Sequence, residues 1–298
     1  MPFDKPLTLW YNTHMLLDLF TIEDFKDSFP HAALGARVCY NSGNLESLLN
    51  DPRVVDKQKR AEFLSKLGNY KHFSVFSHSF VYKKVGETNA LRIGATYFKS
   101  HYTPKYPDVI GVSLRHYLEE LLKKDEKKYQ KAFEKLAEYD TPIEPKGIYT
   151  QDNLTVALIG INKEYDGYAV FFIDGVSRAM THQLVRHTAL NFSQRSQRYV
   201  KEDENYTIMP PSIAENKDAF ELVSLYDEMS TALYNMLVYD YKIRREDARF
   251  FLPMGRRTTI VVSGTLKWIH DFIEKRDTPH AQWEIRNVAK GMRVLMGV

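Results

Sequence analysis

The sequence predicts an α+β fold, and three observations predict it. Short runs rich in β-branched and aromatic residues recur at 154–161, 168–173 and 258–263. Apolar residues at helical spacing fill much of the remainder, most clearly over 114–139 and 217–242 and then over two closing helices, 265–276 and 280–296. An Asp166-Gly167 turn signal stands between the first two of those strands. No internal repeat or low-complexity linker divides the 298 residues, a length that buries a substantial core.

Taken in order, residues 58–68 read as a helix closed by Gly68. His72 to His78 follows and runs into Phe80-Val81-Tyr82, which alternates as a strand does. Residues 90–98 read as a further strand. The helical spacing of 114–139 rests on positions 114, 117, 118, 121, 129, 133 and 136, and is crossed by the mixed charge run Lys123 to Lys128, read as a solvated face or a helix break. Ser177 is an N-cap candidate for a helix running to Ala189 and ending near Asn191. That helix would place Gln183, Arg186 and His187 on one face. Over 217–242, Phe220, Val223, Tyr226, Met229, Leu233 and Met236 lie along one side.

Bulk properties exclude several classes. No window approaches the ~18 continuous apolar residues of a membrane span. The N-terminus lacks the basic-then-apolar layout of a secretory signal, so a cytoplasmic location is expected. A single cysteine, Cys39, excludes an internal disulfide and reads as a small apolar residue beside Val38 and Tyr40. The net charge of +3 comes from interspersed charges, without the basic stripe of a nucleic-acid partner. Neither a P-loop nor a strand-linked G-x-G-x-x-G is present, and no G-x-S-x-G elbow. His182 and His187 sit roughly 140° apart around a helix, poor for a shared metal, and no metal is assigned.

The densest chemistry lies at 183–199, with Arg186-His187 followed by Ser193-Gln-Arg-Ser-Gln-Arg-Tyr199. Guanidinium groups carry paired donors that fit a phosphate, and Ser and Gln complete a polar pocket around it. The cluster reads as a site for a phosphorylated small molecule. A single-stranded nucleic-acid module, using the same cluster with aromatic stacking platforms, is the competing class; scattered charge argues against it.

Arg186-His187 with Ser196 and Gln197-Arg198-Tyr199 resembles the signature of the flavin-dependent thymidylate synthases. Further blocks resemble that family in the same order: Val38 to Ser42, His72 to His78, Gly175 to Gln183, Ala248 to Pro253 and Arg276 to Arg286. The resemblance implies an α+β fold with a mixed or antiparallel sheet flanked by helices. It also implies a homotetramer that shares active sites between subunits. In the family, dUMP becomes dTMP with methylenetetrahydrofolate as one-carbon donor and NADPH-reduced FAD as hydride source. Residues at dUMP positions are Gln183, Arg186, Gln194, Ser196, Gln197, Arg198, Arg249 and Arg276. Those at FAD positions are His72, Ser74, Arg186, His187, Thr188 and His280. Arg276, Arg186 and Ser196 are the expected catalytic residues, and no enzyme nucleophile is implied. Residues from about 83 to 166 read as an insertion in a single domain, expected to extend a sheet edge or cover the assembly's exterior. Three positions depart from the pattern: Thr188 for Arg, Ser77 for Glu and Thr265 for Asn. These departures imply weaker flavin retention, with Arg195 the expected compensating cation, or a homologue that keeps nucleotide binding and has lost flavin chemistry.

Overall fold

The computed structural model describes residues 15–202 and 206–298. Two antiparallel sheets organise it. The larger joins β4 (Gly147–Gln151), β5 (Leu154–Asn162), β6 (Tyr168–Ser177), β7 (Asn191–Gln194) and β8 (Arg257–Thr265) in the order β4-β5-β6-β8-β7. The smaller joins β1 (Phe80–Lys84), β2 (His101–Tyr102) and β3 (Val109–Ser113) in the order β1-β3-β2. The α+β class holds, and every pairing is antiparallel.

The central strand β6 is buried along its whole length, which is why Tyr168 to Ser177 reads as a continuous apolar run rather than an alternation. One sheet face packs on α6 (Arg178–Leu184), α8 (Leu266–Arg276) and α9 (Trp283–Met296), through Phe171, Ile173, Phe272 and Met292. The other face packs on α1 (Phe29–Tyr40) through Leu34, Val38, Val170 and Phe172. Each buried Phe contributes roughly 1.5–3 kcal/mol by leaving water. A bulge between Asp174 and Val176 interrupts the β6–β8 register at Gly175, whose φ of +75° and contact with the Asn153 carbonyl leave no room for a side chain.

A third apolar cluster joins α2 (Lys57–Asn69), α4 (Leu114–Lys124) and α5 (Glu126–Leu136) to the smaller sheet. Asp125 ends α4 and caps α5 by accepting from the Lys128 amide at 3.0 Å, so the charge run is the predicted helix break. Residues 83–166 supply β2, β3, α3 (Glu87–Thr96), α4 and α5, and also β4 and β5 at one edge of the larger sheet.

Two expectations are corrected, over 90–98 and over 217–242. Residues 90–98 form most of α3 and not a strand: the buried pair is Ala90 and Ile93, three apart, so the period is helical. Residues 73–78 coil as a 3-10 helix before β1. The 217–242 helix is α7 (Lys217–Asn235) followed by a π-helical turn, Met236–Asp240, and the apolar side named for burial is largely exposed. Only Ser230 and Tyr234 of α7 are buried. Val223, Asp227 and Thr231 are half-buried, and Asp227 pairs with Arg256 at 3.1 Å, while most of the remaining side chains are exposed among the described residues.

Candidate functional site

The segment 183–199 departs from its predicted helix. Ser177 caps α6 by accepting from the Met180 amide at 3.0 Å, but the helix ends at Leu184 and Val185 is its C-cap. A hydrogen-bonded turn then leads to Leu190, and residues 191–194 add to the free edge of β8 as β7. Strand pairing with Ile260 to Ser263 replaces continued helix, a tertiary contact that periodicity does not encode. Gln183, Arg186 and His187 therefore do not share a helical face: Gln183 lies in the last turn, Arg186 is exposed, and His187 folds back.

His187 meets Arg276. The Arg276 Nε donates to His187 Nε2 at 3.0 Å, and Phe272 packs edge-on to the ring at 5.0 Å. Burial and the neighbouring Arg276 cation both lower the imidazole pKa. A neutral ring accepting at Nε2 carries its proton on Nδ1. Two positions far apart in sequence are thus directly bonded.

A first cleft of about 480 Å³ collects another four of the predicted residues, His72, Ser74, Ser196 and Arg198, with Cys39, Tyr40, Lys71, Arg115 and Tyr199 on its walls. Its two halves are tied together by backbone and ring contacts. The Ser196 amide donates to the Cys39 carbonyl at 3.2 Å. Tyr40 bonds His72 Nδ1 at 3.0 Å and its ring lies 5.1 Å from that of Tyr199. The Ser196 hydroxyl accepts from the Arg198 amide, and the Arg198 guanidinium reaches Glu246 at 2.7 Å. Arg249 donates through Nε to the Glu246 carbonyl, so Arg198 and Arg249 bracket one acidic residue. Burial pushes the Cys39 thiol up to about 11, leaving it protonated at neutral pH, as its apolar setting in the sequence predicts.

A second cleft, of about 350 Å³, holds Thr188 and Thr265, two of the three positions that break the family pattern. Lys99, Phe98, Asn191 and Trp268 complete much of its wall. The third such position, Ser77, is buried, and its carbonyl accepts from Tyr168.

The remaining predicted residues lie outside both clefts. Gln194 bonds Thr181 and Thr258 at 3.0 and 3.2 Å. Gln197 is buried and His280 exposed. Arg195 lines neither cleft; its side chain is 4% exposed, pairs with Glu202 at 3.5 Å and donates to the Lys201 carbonyl. It stands inside the protein, held by these two contacts. His78 is the buried frame behind the site, bonding Ser263 at 2.7 Å through Nδ1 and Ser193 at 2.9 Å through Nε2. Gly35 is required beside it, because a Cβ there would meet the imidazole at 2.4 Å. Sequence reasoning missed Tyr40, Lys99, Arg115 and Glu246 as site residues, since no local pattern connects them to 183–199. No cluster of metal-ligating side chains occurs among the described residues.

Residues 167–297 match the family model described as thymidylate synthase complementing protein, Thy1. The flavin-dependent thymidylate synthase of Nitratidesulfovibrio vulgaris is 43% identical over 129 residues, which is 41% of this chain and 53% of that protein. The flavin-dependent thymidylate synthase of Thermococcus onnurineus is 38% identical over 123 residues, 40% of this chain and 50% of that protein. The chain spans about half the length of the curated relatives it matches. A crystal structure of thymidylate synthase X from Helicobacter pylori with FAD and dUMP aligns at 19% identity over 43% of this chain and 67% of that one, with a TM-score of 0.36, too low to bear on fold or function.

Proposed function

We propose, for a chain whose residues 167–297 match the Thy1 family model, that it is a flavin-dependent thymidylate synthase. It would methylate dUMP to dTMP with methylenetetrahydrofolate as one-carbon donor, FAD as cofactor and NADPH as reductant. The observation that carries this reading is the first cleft. It joins His72 and Ser74 to Ser196 and Arg198, blocks far apart in sequence that the family resemblance assigns to flavin and nucleotide.

Ser196 and Arg198 are the phosphate-holding residues in this reading. Arg198 forms an exposed pair with Glu246, and a dianionic phosphate competes well with a single solvated carboxylate for a guanidinium. Arg249, which donates to the Glu246 carbonyl, is a further candidate for the nucleotide. Arg276, oriented by neutral His187, polarises the pyrimidine as negative charge develops on it. Arg186 is exposed at the turn and joins Gln183, Gln194 and Gln197 as a nucleotide-binding candidate.

The residues present fit a flavin nucleotide. Thr265 Oγ1 is buried without a hydrogen-bond partner among the described residues, and it lines the second cleft with Thr188. His72, Ser74, His187 and His280 are the other candidates for holding it. The bound flavin supplies the hydride, and the protein contributes orientation and electrostatics. Cys39 stays protonated and takes no part as a nucleophile.

The candidate residues fall into separate groups on one chain, which supports an active site completed by self-association. The exposed apolar side of α7 is the surface for it, with Leu222 69% and Met229 63% exposed. Among the described residues no helix is long and apolar enough to cross a membrane; cytoplasmic location belongs to this proposal. A second reading, a nucleotide-binding homologue without flavin chemistry, is favoured by Thr188 and Ser77. Purified protein incubated with FAD, then with NADPH, dUMP and methylenetetrahydrofolate, separates them: dTMP supports the first, and flavin reduction or binding without dTMP supports the second.

A further inference from the structure

The second cleft contains a cation that the family resemblance does not assign. Lys99 comes from the 83–166 segment, in the loop between α3 and β2. Its backbone has φ of +65°, a left-handed conformation that a lysine adopts only when surrounding contacts hold it there. Those contacts are present. Ser100 Oγ donates to the Tyr97 carbonyl at 2.6 Å, and the Tyr97 ring packs on His116 at 5.6 Å. The Lys99 ammonium donates to the Leu190 carbonyl at 2.6 Å, which carries it to the end of the turn that contains Thr188. An ammonium has three donors, and no carboxylate among the described residues lies within ion-pair distance of this one. Burial and the nearby Arg115 both lower its pKa, as happens to a cation held without a counter-ion.

Opposite Lys99 lies the start of α8. Thr265 is its N-cap residue, yet the side chain makes no capping bond, and Oγ1 is unpartnered although the residue is 5% exposed. The Leu266 amide donates to the Gly167 carbonyl at 3.2 Å, and this eleven-residue helix, with no side-chain cap, presents the amides that follow it and a positive dipole end. Trp268, 37% exposed, and Phe98, 78% exposed, add flat apolar faces. A cleft with an unpaired ammonium, a free hydroxyl, a helix start and two rings suits a planar heteroaromatic ligand that bears an anion.

We propose that Lys99 is the positioning cation for the anionic part of the flavin nucleotide in this chain, acting with the uncapped start of α8 at Thr265. This rests on the reading of the protein as a flavin enzyme. It gives the work that Thr188 cannot do to a residue of the atypical segment, and it replaces Arg195, which is buried and paired with Glu202.

The test compares FAD with riboflavin, which has the same ring and no phosphate, by equilibrium titration of flavin fluorescence. Wild type prefers FAD. Lys99→Met lowers that preference by roughly tenfold, the scale of one charge-assisted hydrogen bond, and leaves riboflavin affinity unchanged. Lys99→Arg retains most of the preference, and Thr188→Arg added to Lys99→Met restores it. Should Lys99→Met not fold, Lys99→Gln and Thr265→Val carry the same comparison. An unchanged preference in Lys99→Met or Lys99→Gln, or an equal loss for both ligands, overturns the role of Lys99 while the flavin reading stands. Wild type that binds neither ligand overturns both.

Discussion

Two amphipathic helices of this protein meet different fates. α8 lays Ile269, Phe272 and Ile273 against the larger sheet, where all are buried, and its ends place Thr265 in the second cleft and Arg276 against His187. α7 has an apolar side of the same kind, but Leu222, Leu225, Tyr226 and Met229 remain exposed. Periodicity specifies that a helix has an apolar side. It does not specify whether the surface that covers that side lies in the same chain.

The first way to sharpen the contrast is to remove a packed ring from α8. Phe272→Ala is expected to cost about 3–5 kcal/mol of stability, since it deletes a fully buried side chain in contact with His187. Denaturant unfolding should show the same loss at low and high protein concentration. The corresponding change on α7 behaves differently. Leu225→Asp with Met229→Asp should leave the folded chain intact and shift it to a smaller species in sedimentation velocity. The wild-type unfolding midpoint should rise with concentration, whereas the variant's should not. A variant that unfolds outright would place the α7 face inside the monomer's own stability.

Within the site the contrast is between surface and frame. Arg198 is exposed, and Arg198→Ala is expected to weaken dUMP binding about ten- to a hundredfold with little change in stability, as calorimetry would measure. His78 belongs to the frame. Burial pushes its pKa down from 6.5 to about 3, so the unfolded chain takes up the proton first as pH falls. The stability it contributes is complete above pH 6.5 and lost between 6.5 and about 3. His78→Gln should flatten that part of the stability profile, and an unchanged profile would show that other groups govern acid unfolding.

Much of the fold was legible because its signals are local. The strands at 154–161, 168–173 and 258–263 and the closing helices stand where the sequence places them. The misreadings have a common origin in contacts between distant segments. β7 exists because β8 offers a free edge, and α3 is a helix because Ala90 and Ile93 face one core. The site divides the same way. Ser196 and Arg198 were candidates from residue type, and the fold brings them to one cleft with His72 and Ser74. Lys99, Arg115 and Glu246 enter through tertiary contacts with segments that carry no motif, and Tyr40 from a block whose residues carry no assigned role.

The central claim is tested most directly by product formation. Purified protein supplied with FAD, NADPH, methylenetetrahydrofolate and dUMP should yield dTMP, with turnover that disappears when flavin or dUMP is omitted. Flavin-bound protein that oxidises NADPH and forms no dTMP at any dUMP concentration would contradict the account.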